Sequence, residues 1–247
     1  MRRHLGGAFL FQPALPLFWH DHGLTIRDCE LTDQCRAALW YSDHITIEDT
    51  GIHGIKALRE CADAVVKNCV ILSPEFGWNS RQVTMEDCTA VSEYFMMRGT
   101  DLCFRNVTFQ GKYFFHYIEN SVFEHCSFDT KDAFWHAKNV VVRDCAVKGE
   151  HLAWYCENVT FERCKIIGTQ PLCHCKGLKL IDCQMVDCDL AFERSDIQAT
   201  INTPVVSIKN PLVGSRITVP TVGEIIRDIP EAVGEVTVGA GDRAVCA

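Results

Sequence analysis

Residues 131–168 read KDAFWHAKNVVVRDCAVKGEHLAWYCENVTFERCKIIG, in which AFWHAKNVVVRDC is answered by LAWYCENVTFERC nineteen residues later. Aligned on the closing cysteine, the pattern extends in both directions. Cys29, Thr50, Cys69, Cys88, Val107, Cys126, Cys145, Cys164 and Cys183 follow one another by one step of 21 and then by steps of 19. A fixed period of this length marks a solenoid. Positions three and five residues before the anchor are mostly apolar (Ile26, Val66, Phe104, Val142, Phe161), and those between are polar or mixed, which is strand alternation. The repeat has no room for a helix between strands, against a leucine-rich repeat. Nor is its period a multiple of six, against a hexapeptide coil. The expected fold is all-β: a parallel β-helix of about eleven coils, each stacked roughly 4.8 Å above the last.

Three columns of the repeat read as structural. Two residues before the anchor stand Arg27, Glu48, Lys67, Glu86, Arg105, Glu124, Arg143 and Glu162, so each charge lies between opposite ones once coils stack. One residue before the strand stand Asp63, Asp101, Asn120, Asn139, Asn158 and Asp196, types that accept the left-handed backbone of a corner. The anchor cysteines recur at a spacing too wide for the ~3.8 Å Cβ separation of a disulfide, so they are expected as small, buried, reduced thiols.

The 247 residues carry a formal net charge of −8, with 47% hydrophobic and 23% charged residues. That balance suits one large globular domain and argues against nucleic acid or an anionic membrane surface as partner. Gln12, Pro13 and Pro16 interrupt the apolar start, so a secretory signal is not expected. With fifteen cysteines, an odd number, a cytoplasmic location is expected.

The run from KDAFWHAKNVVVRDC through GEHLAWYCENVTFERC to LCHCKGLKLIDCQMVDCDLAFE resembles family 3737 of the domains of unknown function, over about residues 18–230. The resemblance implies a right-handed, pectin-lyase-like β-helix and brings no established activity. Residues 1–17 read as an atypical N-terminal segment and 18–247 as a single β-helix domain. Its coils degenerate from about residue 197, where Pro204, Pro211, Pro220 and Pro230 suit edges and a cap. The sequence blocks of polygalacturonase-like hydrolases are absent, as is a carboxylate cluster of the pectate-lyase kind.

Function has to come from sites, because this fold hosts enzymes, adhesins and scaffolds alike. A row in mid-repeat holds Trp19, Trp40, Arg59, Trp78, Met97, His116, Trp135, Trp154, Cys173 and Phe192. Alternation alone leaves open whether it faces the core or forms an outward platform for sugar rings; analogy with other right-handed β-helices turns Phe134 in and Trp135 out. Next along the chain runs Tyr41, Glu60, Asn79, Arg98, Tyr117, His136, Tyr155, His174 and Glu193. Its phenols and imidazoles suit acid–base chemistry or hydrogen bonding to polyols. A zinc site from Cys156, Cys173, Cys175 and His174 lacks a fourth ligand on the right face, so no metal and no cofactor is expected. The expectation is a carbohydrate-interacting or partner-binding scaffold, its binding candidates Trp40, Trp78, Tyr117, Trp135 and Trp154 and its partner a glycan or saccharide. The alternative is a carbohydrate-active enzyme, a polysaccharide lyase or glycoside hydrolase, with catalytic candidates Asp132, His136, His151, Tyr155 and His174.

Overall fold

The computed structural model describes residues 3–6, as backbone, and residues 18–239. The rest of the segment 1–17 and of the C-terminus lies outside the described residues.

Strand Lys138–Arg143 shows how the repeat folds. Val140 and Val142 are buried while Val141 between them is half-exposed, and the strand pairs in parallel with Glu157–Glu162 in the register Val140↔Val159 and Val142↔Phe161. A nineteen-residue step thus becomes one rise of the solenoid. This first sheet climbs from Arg3–Gly6 through Leu24–Arg27 and Asp43–Glu48 to Glu235–Val238, making a right-handed β-helix of about twelve turns with no helix among the described residues. One turn more than expected arises because Arg3–Gly6 pairs in register with Leu24–Arg27. A second sheet follows the anchor through Ser127–Lys131, Ala146–Lys148 and Lys165–Ile167. Strand Leu178–Val186 belongs to both sheets, with an irregularity between Leu180 and Cys183. Val205–Lys209 and Val222–Ile226 continue the stack at its C-terminal end.

Inside the coils, like residues stack on like. Phe115 lies on Phe134 with ring centres 5.2 Å apart, and Phe109 on Phe128 at 4.9 Å. The anchor cysteines have a second role beyond filling space: Cys164 donates its thiol to Val142 O at 3.3 Å and Cys183 to Phe161 O at 3.3 Å, both on the coil below. Backbone amides return the contact, Cys126 N–H to Cys145 Sγ at 3.2 Å. Thr50 keeps a polar atom at this position and accepts the Cys29 N–H, whereas Val107 fills it with apolar volume alone. The charged column pairs as read from the sequence. Glu124 lies 3.1 Å from Arg105 below and 3.3 Å from Arg143 above, and Lys67 lies 3.0 Å from Glu86. The corner asparagines form a ladder at positive φ, Asn139 donating to Asn120 at 3.1 Å and Asn158 to Asn139 at 3.3 Å.

Among the described cysteines only Cys103 is exposed, and all are free thiols. Burial pushes Cys61, Cys173 and Cys188 up to about 12, so thiolate is scarce at neutral pH. A thiol reagent applied to the folded protein should label Cys103 and spare the other described cysteines until denaturant is added. Several protected thiols appearing as disulfides in intact-mass measurements would contradict this arrangement.

Candidate functional site

Beyond the first two coils, where Phe18–Trp19 pairs with Leu39–Trp40, the side of the coil that carries the two rows is not a strand. At residues 132–136 the backbone alternates, with φ of 53° at Asp132, 62° at Phe134 and 57° at His136. Phe134 donates its N–H downward to Phe114 O and His136 donates upward to Trp154 O, each at 2.9 Å. Ala133 and Phe134 are thereby buried, and Trp135 and His136 face outward with partial exposure.

The outward tryptophans do not stand free. Trp135 lies parallel to Trp154 at 5.5 Å and to His116 at 5.7 Å, with interplanar angles of 5° and 6°. Its indole N–H donates to His151 O on the next coil at 2.7 Å. The same sixteen-residue link joins Trp78 to Tyr94 O at 2.5 Å, His116 to Asp132 O at 2.6 Å and Trp154 to Gln170 O at 2.7 Å. Trp40 lies between Trp19, 6.2 Å away, and the Arg59 guanidinium, 5.6 Å away, which is also 4.9 Å from Trp78. Its own indole N–H has no partner among the described residues. Trp135 is thus covered by His116 on one face and Trp154 on the other, and Trp40 by Trp19 and Arg59. A sugar ring has no free face to stack on at these two positions, where the row buttresses the segment beside it.

That neighbouring segment carries an exposed ladder. Tyr117 stacks on His136 at 4.7 Å, His136 on Tyr155 at 5.1 Å and Tyr155 on His174 at 4.9 Å, all within 11° of parallel. Both tyrosines are close to half exposed. The Arg98 guanidinium lies 5.8 Å from the Tyr117 ring at the lower end. At the upper end the register departs from the sequence reading. Cys175 N–H meets Ser195 Oγ across twenty residues, and the left-handed positions advance from Gln170, Leu172 and His174 to Leu190, Phe192 and Arg194. One residue is inserted in this coil. Phe192 therefore continues the buried row of Phe134 and Leu172 rather than the tryptophan row, Cys173 is buried as well, and Arg194 takes the place expected of Glu193. The twenty-residue gap from Cys175 to Ser195 carried this signal, but Cys183, still on the nineteen-residue beat, masks it.

Asp132 and His151 form a pair on the other edge of the tryptophan row. His151 Nδ1 lies 2.9 Å from Asp132 Oδ1, and the Asp132 side chain is nearly buried. The His151 ring packs edge-on against Trp154 at 5.0 Å, and Trp154 in turn against Tyr155 at 6.1 Å. The five catalytic candidates thus divide into a ladder (His136, Tyr155, His174) and a pair (Asp132, His151) with indoles between them. Asp189 falls out of line with the pair, because the inserted residue puts Leu190 in that column. The cysteines weighed as zinc ligands turn into the core, where Cys156 and Cys175 donate to Phe134 O and Ala153 O at 2.9 and 3.0 Å.

The chain belongs to the family described as "Protein of unknown function (DUF3737)", whose model matches residues 8–237. No curated protein matches. Among solved structures, the chain is similar to PfbA, a surface adhesin of Streptococcus pneumoniae, at 8% identity and a TM-score of 0.47, covering 89% of this chain and 82% of that one. It is also similar to the catalytic domain of a GH87 alpha-1,3-glucanase in complex with nigerose, at 11% identity and 0.39, covering 90% of this chain and 49% of that domain. The Azotobacter vinelandii mannuronan C-5 epimerase AlgE4 A-module matches at 10% identity and 0.31, over 96% of this chain and 89% of the module. At these identities the likeness concerns the fold alone.

Burial holds the imidazoles of His116 and His136 below their ordinary range, and burial with the charge of Arg194 does the same for His174 against Glu193. A histidine whose folded value is depressed stabilises the fold above its unfolded value of about 6.5 and loses that contribution as pH falls through the window below it. Urea unfolding should therefore give lower stability at pH 5 than at pH 7, and His116→Gln should flatten the dependence. Trp135→Ala should cost about 1–3 kcal/mol, between a surface contact and a core cavity, while Phe134→Ala costs about 3–5 kcal/mol.

Proposed function

We propose that the protein is a glycan-binding scaffold that reads a polysaccharide chain along the ladder Tyr117, His136, Tyr155 and His174. The observation that carries this reading is the ladder's geometry: rings stacked face to face, their edges outward, phenol alternating with imidazole on successive coils. Edges of this kind offer hydroxyl and ring-nitrogen groups, which match a polyol. Alternation makes each group recur every second coil, about 10 Å along the axis, a spacing that suits an extended polymer with a disaccharide repeat better than a small solute. Trp135 and Trp154 contribute by holding the segment in place, since each ties its coil to the next through an indole–carbonyl bond. Arg98 and Arg194 bracket the ladder and favour a glycan bearing acidic groups at that separation. A reducing compartment, the cytoplasm, fits the free buried thiols and completes the reading.

A second reading, a glycoside hydrolase or polysaccharide lyase, is favoured by one contact, the Asp132–His151 pair, in which a carboxylate orients an imidazole as a general base requires. The ladder reading is preferred because, among the described residues, the side chains of that pair hydrogen-bond only each other.

The test uses substitutions that keep the stack and remove only the hydroxyls. Tyr117→Phe with Tyr155→Phe should leave the unfolding free energy nearly unchanged and weaken binding on a glycan microarray by about ten-fold, two lost hydrogen bonds at roughly 0.5–1.5 kcal/mol each. Unchanged binding by the double variant, or a wild-type protein that retains no glycan on the array, overturns the proposal. Bond cleavage abolished by His151→Asn would establish the enzyme reading in its place.

A further inference from the structure

A second group of side chains stands apart from both rows, at the N-terminal end of the first sheet. His22 on one coil and Asp43 and His44 on the next bring one imidazole nitrogen from each histidine and a carboxylate oxygen of Asp43 within 4.8 Å of one another. His44 Nδ1 lies 2.7 Å from Asp43 Oδ1, and His22 Nδ1 contacts the same oxygen. The two imidazole rings are 4.5 Å apart. His44 occupies the corner that later coils fill with Asp63, Asn120, Asn139 and Asn158, and it shares their left-handed backbone. Those corners need only a short amide or carboxylate to continue the ladder. An imidazole there is not required by the fold.

From the third coil Asp63 completes the arrangement, its Oδ2 lying 3.5 Å from His44 Nε2. His44 Nδ1 hydrogen-bonds Asp43 Oδ1, and His22 Nδ1 contacts the same oxygen, so both imidazoles already converge on one carboxylate. A metal ion that takes the Nδ1 lone pairs displaces the protons of those contacts, and Asp63 then orients His44 from the Nε2–H side. We infer that His22, Asp43 and His44 form a binding site for a divalent transition-metal ion, with Asp63 orienting His44 from behind.

Two imidazole nitrogens and one carboxylate oxygen suit Zn²⁺ or its borderline neighbours such as Co²⁺ and Ni²⁺ rather than Ca²⁺ or Mg²⁺, which take oxygen donors. A tetrahedral ion with bonds of about 2.1 Å sets its ligand atoms about 3.4 Å apart, so the three groups need only spread slightly from their direct contacts. The two imidazoles are mostly solvent-exposed and Asp43 partly so, which leaves room for that movement. Three protein ligands leave a position open to water or to a group from a partner.

Titration of the full chain with Zn²⁺ by calorimetry, and with Co²⁺ followed by visible absorption, decides the matter. One equivalent should bind with a Co²⁺ spectrum lacking sulfur-to-metal charge transfer. His22→Ala or His44→Ala should weaken binding by roughly ten-fold or more, and Asp63→Asn should weaken it less while leaving the stoichiometry at one. His53→Ala, in a histidine that pairs with Glu30 elsewhere on the surface, serves as the control and should bind like wild type. No binding at millimolar Zn²⁺, or the same binding in the His22→Ala/His44→Ala double variant, overturns the inference. A protein that binds Zn²⁺ at this site yet retains no glycan would separate the present inference from the function proposed above.

Discussion

Everything in this molecule is subject to one constraint: a residue at a given position in a coil lies about 4.8 Å from its counterpart in the coils above and below. A side chain must tolerate its own column. Charges solve this by alternating sign, Glu124 between Arg105 and Arg143, and corner amides by donating along the ladder. Phenylalanines stack in the core, and thiols donate to the carbonyl of the coil below. Exposed ion pairs of this kind are each worth only ~0.2–1 kcal/mol, yet a slip of one coil would bring like charges together along the whole stack, so their main effect is on register.

The fold was legible because the constraint writes itself into the sequence as a period. Nineteen-residue spacing, apolar positions at −3 and −5 and a corner amide together leave one architecture. The orientation of Trp135 was less legible, since Ala133 and Phe134 precede it and both faces of the segment are apolar. It is fixed by an alternating left-handed backbone with no signature in composition. The register insertion was hidden for a related reason. The anchor in strand Leu178–Val186 keeps the beat through Cys183, and the extra residue is absorbed afterward, which moved Phe192 and Arg194 by one column.

What the tryptophans do was the least predictable feature. Their number suggested a platform for sugar faces, and an exposed apolar track does usually bind something. Stacking along the axis removes that possibility at Trp40 and Trp135, because the same 4.8 Å rise that aligns the neighbouring groups also covers their faces. The indoles of Trp78, Trp135 and Trp154 spend their N–H on a backbone carbonyl of the next coil's irregular side. Around Trp135 the ring edges remain, and beside them the rims of Tyr117, His136 and Tyr155 face solvent.

The choice of residues at the left-handed positions bears on where function lies. A non-glycine residue in this backbone costs on the order of 1–2 kcal/mol, least for asparagine and aspartate. Where the corner serves only the fold, the chain mostly uses those types: Asn120, Asn139 and Asn158 in one column, and Asp28, Asp49, Asp87 and Asp144 in another that also admits His125 and Arg163, the latter paired with Asp144. Phe134 and Leu172 depart from that rule and are repaid by burial in the core. Arg98, Tyr117, His136, Tyr155, His174 and Arg194 share the same backbone region, point outward and have no core burial in return. Ring stacking offsets part of the cost for the central four, at roughly 0.5–1.5 kcal/mol per pair, but asparagine would meet the backbone requirement without needing it. The column is better explained by what its edges present to solvent than by what it does for the coil, and the same reasoning singles out His44 among the corner amides.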